Sequence, residues 1–130
     1  MTGNKFILDT NIVSAWLKGE TSVADNIDKA ESVFLPIIVV GELYYGASFS
    51  SQIEKNISDL KKLTSRYPVL TLDEETTSIY GVIKSNLRKK GKPIPENDIW
   101  IAAIAIQNDV QLVTRDAHFK EIEEASIVAW

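Results

Sequence analysis

Lys5-Phe6-Ile7-Leu8-Asp9-Thr10-Asn11 places a short apolar run directly before an acid and two residues with helix-capping side chains. Lys5–Leu8 reads as a short buried strand, and Asp9-Thr10-Asn11 supplies the oxygen and amide groups that start a helix. That helix is expected over Ile12–Lys18, closed by Gly19. A strand running straight into a helix suits a parallel sheet, whose strands need crossover helices to return the chain.

The same alternation continues outward. A polar helix is expected over Ser22–Glu31 and a strand over Ser32–Leu35. Pro36–Phe49 is ambiguous from its residues. Ile37-Ile38-Val39-Val40 favours strand, whereas Pro36 suits a helix start and Glu42-Leu43-Tyr44-Tyr45 suits helix. Ile53, Ile57, Leu60 and Leu63 recur at helical spacing, predicting a surface helix within Ser51–Tyr67. Val69–Leu72 reads as a strand and Glu74–Lys90 as a helix stopped by Gly91. Pro93–Asn97 is a connector, Asp98–Asn108 a buried helix, and Gln111–Thr114 and Ser126–Ala129 complete the strands. The expected architecture is a three-layer α/β/α sandwich with a central, mostly parallel sheet, as one domain over residues 1–130.

Four acids stand at points such a fold brings together: Asp9, Glu42, Asp98 and Asp116. Asp9 and Asp116 each follow a strand, and parallel sheets form their sites outside the carboxyl ends of strands. Each acid has an ordinary explanation too. Asp9 can cap a helix, Asp98 can favour a first helical turn, and Asp116 can belong to the turn Arg115-Asp116-Ala117. Glu42 is harder to explain this way, because its helical neighbours Ile38, Val39, Tyr45 and Gly46 offer no charge partner. Gathered carboxylates repel and resist desolvation, so the placement points to a divalent cation.

Composition narrows the chemistry. The 130 residues include no cysteine, so thiolate ligands, thiol nucleophiles and disulfides are excluded. Oxygen donors suit hard cations such as Mg2+ or Mn2+. His118, the one histidine, is read as a packing or capping residue beside Phe119. The formal net charge of −4 argues against general attraction to nucleic acid. Yet Thr76–Pro95 contains no acid and carries Lys84, Arg88, Lys89, Lys90 and Lys92, a basic strip that fits either a phosphate track or a solvated helix end. Arg115 fits either a phosphate contact or a local ion pair. MTGNKFILDTN lacks the apolar core of a signal peptide, and no apolar run reaches membrane-spanning length, so the expected compartment is the cytoplasm.

The blocks LDTNIVS, VVGELYYG, ENDIWIAA and VTRDAHF, in this order and spanning Phe6–Phe119, resemble those of PIN-domain ribonucleases, most closely the VapC-type toxins of toxin–antitoxin pairs. The resemblance implies a PIN-like, Rossmann-like fold with Pro36–Phe49 helical, and an endoribonuclease dependent on Mg2+ or Mn2+. It assigns Asp9, Glu42, Asp98 and Asp116 to the acidic metal-binding quartet, with Asn11 and Thr114 in support. It also implies an RNA substrate, a homodimer and a VapB-type antitoxin, for which Tyr44–Tyr67 is the candidate contact. The alternative is a catalytically silent PIN-like module that binds RNA or a partner. A phosphatase of the haloacid dehalogenase type would need Asp where Asn11 stands, and a dinucleotide site would need a glycine-rich loop after Leu8.

Overall fold

A computed structural model describes residues 4–130 of the chain. Met1-Thr2-Gly3, the start of the stretch read as lacking a signal-peptide core, lies outside the described residues. The chain runs β1 (Lys5–Leu8), α1 (Thr10–Leu17), α2 (Thr21–Lys29), β2 (Ser32–Pro36), α3 (Ile37–Ser48), α4 (Ile53–Arg66) and β3 (Val69–Leu70). It continues through α5 (Glu74–Lys90), α6 (Glu96–Gln107), β4 (Gln111–Val113), a short 3-10 helix (Ala117–Glu121) and β5 (Ile127–Val128).

The five strands form one sheet in the order β3-β2-β1-β4-β5, with every pairing parallel. Six α-helices among the described residues flank this sheet, giving the expected three-layer sandwich. The order has a consequence for function. From β1 the chain steps to β2 and β3 on one side, then α5 and α6 return it to β4 on the other side of β1. The β1–β4 pair is therefore where strand order reverses, the place where open parallel sheets leave a crevice.

The pattern of buried residues explains why the sequence folds this way. Ile7 and Leu8 of β1 and Leu112 and Val113 of β4 are fully buried and pair directly, Ile7 with Leu112 and Leu8 with Val113. Strands covered on both faces read as continuous apolar runs, as these do. Helix α6 buries Ile99, Ile101, Ala102, Ala103, Ile104 and Ala105, consistent with its nearly uniform apolar sequence. In α4, Leu60 and Leu63 face inward while the charged residues remain outside.

Several boundaries differ from the sequence reading. Helix α1 begins at Thr10 rather than Ile12, because the Asp9 carboxylate accepts a hydrogen bond from the Thr10 N–H. Helix α6 begins at Glu96, so Glu96 and Asn97 belong to its first turn rather than to a connector. Pro95 sits in the capping position, with a preset φ of −57°. Strand β3 is only Val69–Leu70, half the expected length. The ambiguous segment is helical: extended Pro36 hands over to α3, and burial of Val39, Val40 and Ala47 overrides the strand propensity of its β-branched run. Gly91 closes α5 at φ +67°, a left-handed position that glycine takes without steric penalty.

Ile104 is wholly buried in α6, so Ile104→Ala should cost about 2–5 kcal/mol through lost apolar contact and a residual cavity. Urea unfolding with an unchanged slope and a lowered midpoint is the expected result.

Candidate active site

Asp9 is the most enclosed of the four acids, with 5% of its surface exposed. Its backbone N–H donates to the Val113 carbonyl at 2.9 Å, extending the β1–β4 pairing to the acid itself. The side chain is then held from three directions. Thr10 N–H donates to Oδ1 at 2.8 Å, and Thr114 Oγ1 and Asn11 Nδ2 donate to Oδ2 at 2.7 and 3.4 Å. Thr114 also accepts from the Asp116 N–H at 3.0 Å. One buried hydroxyl thus joins the acid after β1 to the acid after β4. Asn11 accepts from the Arg115 N–H at 3.3 Å and braces the same junction.

Glu42 reaches the cleft from α3 and Asp98 from α6, two helices that touch. The absence of a charge partner for Glu42 is answered by a neutral one: Thr10 Oγ1 donates to Glu42 Oε1 at 2.7 Å. Asp116 caps the 3-10 helix by accepting from the His118 N–H at 3.3 Å. Asp9, Glu42, Asp98 and Asp116 all line one open cleft, together with Thr10, Asn11, Pro95, Glu96, Asn97 and His118. The structure therefore gathers the whole predicted quartet. Thr114 lies behind it as a brace.

His118 corrects the sequence reading. Phe119 is the fully buried packing residue, whereas the His118 ring projects between two acids. Nε2 lies 2.5 Å from Asp98 Oδ2 and Nδ1 lies 2.7 Å from Asp116 Oδ1. The 3-10 turn is what separates the two neighbours, sending Phe119 inward and His118 toward the cleft. The only sequence signal was the two-residue spacing from Asp116. Thr10 and Glu96 were also missed as cleft residues, although Thr10 sits inside the LDTN block.

The predicted basic residues do not line this cleft. Arg115 pairs with Glu20 through Nη2–Oε2 at 2.5 Å, and its Nε donates to the Trp130 carbonyl at 3.1 Å. Lys90 donates to the Glu121 carbonyl at 2.6 Å and neighbours the Glu121 and Glu123 carboxylates, tying α5 to the 3-10 segment. Lys84 pairs with Glu96. Arg88, Lys89 and Lys92 are exposed around the end of α5.

The electrostatics match the crowding. Burial raises the Asp9 carboxyl above its ordinary value of 3.8; hydrogen bonds from Thr114 and Thr10 oppose this, while the charges of Asp98 and Glu42 add to it. Burial likewise raises Asp98, opposed by His118 and assisted by Asp116 and Glu42. Facing oxygen and nitrogen atoms of Asp98, Asp116 and His118 all lie within 4.8 Å of one another. A divalent cation would relieve this repulsion, and the donor set fits one.

A carboxyl raised in the folded state favours folding when protonated. That contribution is complete below 3.8 and disappears as pH climbs through the raised folded value. At neutral pH the ionised Asp9 therefore burdens the fold. Asp9→Asn should raise stability at pH 7, read as a higher Tm, in protein stripped of divalent ions. The gain should shrink toward pH 4, as calorimetry at the two pH values will read.

Comparison with known proteins agrees with this geometry. The PIN domain family model matches residues 6–125. Ribonuclease VapC2 of Rickettsia felis is 35% identical, with 96% of this chain and 97% of that protein covered. Ribonuclease VapC1 of Haemophilus influenzae is 30% identical over 96% and 95% of the two chains. The crystal structure of VapBC2 from Rickettsia felis, bound to a DNA fragment from their promoter, contains a chain that superposes with a TM-score of 0.89 at 34% identity. That match covers 97% of this chain and 98% of the other. A parallel sheet whose switch point gathers four acids, and a likeness running nearly end to end, place this chain in the PIN-domain family, among the VapC ribonucleases.

Proposed function

We propose that this chain is the toxin of a type II toxin–antitoxin pair, an endoribonuclease that hydrolyses RNA phosphodiester bonds with a divalent cation. The observation that carries the reading is the intact quartet at the β1–β4 switch point, in a chain 35% identical to a VapC ribonuclease over nearly its full length. Asp9, Asp98 and Asp116 would hold the cation, and Glu42 completes the acidic set. The oxygen-rich donors favour Mg2+ or Mn2+. When bound, such an ion lowers the pKa of water and neutralises charge developing on phosphate.

The chain's own groups supply the positioning. Thr10 orients the Glu42 carboxylate, and Glu42 in turn aligns the attacking water. The water gives up a proton as its oxygen bonds to phosphorus, the P–O3′ bond breaks, and the departing 3′-oxygen takes up a proton. The products carry 5′-phosphate and 3′-hydroxyl ends. His118 keeps Asp98 and Asp116 at a fixed spacing on separate elements. Exposed Arg88, Lys89 and Lys92 remain as a phosphate track away from the cleft, whereas Lys90 and Arg115 serve as braces.

The partner is a VapB-type antitoxin, supported by the likeness to a chain solved within a VapBC complex. A groove between α1, α3 and α4, lined by Leu17, Leu43, Gly46, Ala47 and Leu60, draws half of its lining from the expected contact stretch Tyr44–Tyr67. It shares Thr10 and Glu42 with the acid cleft, so a segment lying there would end beside the site. The working assembly is a homodimer of one-domain chains in the cytoplasm. Among the described residues no helix is long and apolar enough to cross a membrane.

Asp98→Asn should lower RNA cleavage at least about 100-fold, as should chelation by EDTA, because charge stabilisation worth several kcal/mol disappears. Gel analysis of Mn2+-supplied protein on cellular RNA, with end-group mapping, checks this. Cyclic phosphate ends would overturn water as nucleophile.

A further inference from the structure

Beside the acid cleft lies a second groove, formed by Ile37, Ile38, Gly41 and Tyr45 of α3 and closed by Asn97 of α6. It is continuous with the cleft, since Thr10, Glu42 and Asn97 line both. Its character differs sharply. Apart from Glu42 at the shared edge, its lining is uncharged. Tyr45 is 69% exposed, and Phe49 holds its ring edge-to-face at 5.0 Å. Nothing occupies the space above Gly41 within 4 Å of where a side chain would begin, which leaves the floor open.

Neither lining contains Lys or Arg. Lys84, Lys90 and Arg115 are paired with Glu96, Glu121 and Glu20. An RNA strand entering this acidic site therefore finds no cation in the walls to grip its backbone. What the groove offers is the exposed Tyr45 ring, the apolar side chains of Ile37 and Ile38, and the Asn97 amide. Those are the groups that hold unstacked bases: aromatic faces for stacking and side-chain amides for base edges.

We propose that the α3 groove is a subsite for an unpaired nucleobase flanking the cleaved phosphodiester, with Tyr45 stacking on the base and Asn97 hydrogen-bonding its edge. The proposal rests on the endoribonuclease reading and deepens it. It explains how a net-acidic chain engages RNA next to four carboxylates, since stacking is indifferent to charge. It also ties cleavage to single-stranded segments, because a base paired in a duplex cannot enter the groove.

The test uses the full chain carrying Asp98→Asn, so that binding is read without cutting. Fluorescence anisotropy compares a labelled single-stranded oligoribonucleotide with a ribose-phosphate strand of equal length and charge that lacks bases. Tyr45→Ala should weaken binding of the base-bearing strand about tenfold, leave the base-free strand unaffected, and keep the salt slope unchanged. Tyr45→Phe and Tyr45→Trp should stay within about twofold of the parent, which separates stacking from loss of fold. Asn97→Ala should flatten the preference among homopolymers. Equal affinity for Tyr45→Ala, or an equal loss on the base-free strand, overturns the subsite. So does intact RNA binding combined with lost self-association or lost antitoxin binding, which would make the groove a protein-docking surface. Cleavage by the protein without Asp98→Asn on the same RNA is scored separately, so failure of the nuclease reading stays distinct from failure of the subsite.

Discussion

Four carboxylates at one end of a sheet set ionisation against folding, and much of the local structure answers that conflict. Burial raises Asp9 and Asp98, and the charges of their neighbours raise them further. Counterweights are built around them. Thr114 and the Thr10 amide donate to Asp9, the Thr10 hydroxyl donates to Glu42, and His118 stands between Asp98 and Asp116. The neutral donors hold Asp9 and Glu42 in place without cancelling their charge. A divalent cation bound among these acids would relieve their repulsion.

Topology makes the gathering feasible. The β1–β4 pairing brings Asp9 within reach of Thr114 across more than one hundred residues of chain, a separation of 105. The contact of α3 with α6 then brings Glu42 and Asp98 over the same edge. The segment carrying Asp116 and His118 has little regular structure of its own, so it is fastened from outside. Lys90 anchors its far end through the Glu121 carbonyl, and Arg115 locks its near end to Glu20 and Trp130. Several cations that looked available for phosphate are thus structural ties, and the balance between grip and brace shifts toward brace.

Glu42 and Thr10 occupy a junction rather than a single site. They line the acid cleft, the aromatic groove over α3 and the apolar groove between α1, α3 and α4. Anything seated in either groove therefore borders the same hydroxyl–carboxylate pair. Substrate selection and inhibition by a partner can both act there without any long conformational route.

The sequence by itself determined the alternation of strands and helices, the parallel sheet, and the identity of the four acids. Each of these depends on local periodicity or on where an acid stands within or beside an element, and neighbours along the chain carry that information. Tyr44 and Tyr45, consecutive on α3, diverge: Tyr44 packs against the core while Tyr45 is exposed. Tertiary structure decided the rest. His118 changed from packing residue to bridge between acids because a 3-10 turn, too short to leave a periodic signature, rotated it away from Phe119. Arg115, Lys84 and Lys90 acquired partners distant in sequence, and Ile37–Ser48 became helix through burial against the propensity of its first residues. Pairings of this kind depend on where separate elements meet, and that meeting is fixed by packing of the whole chain.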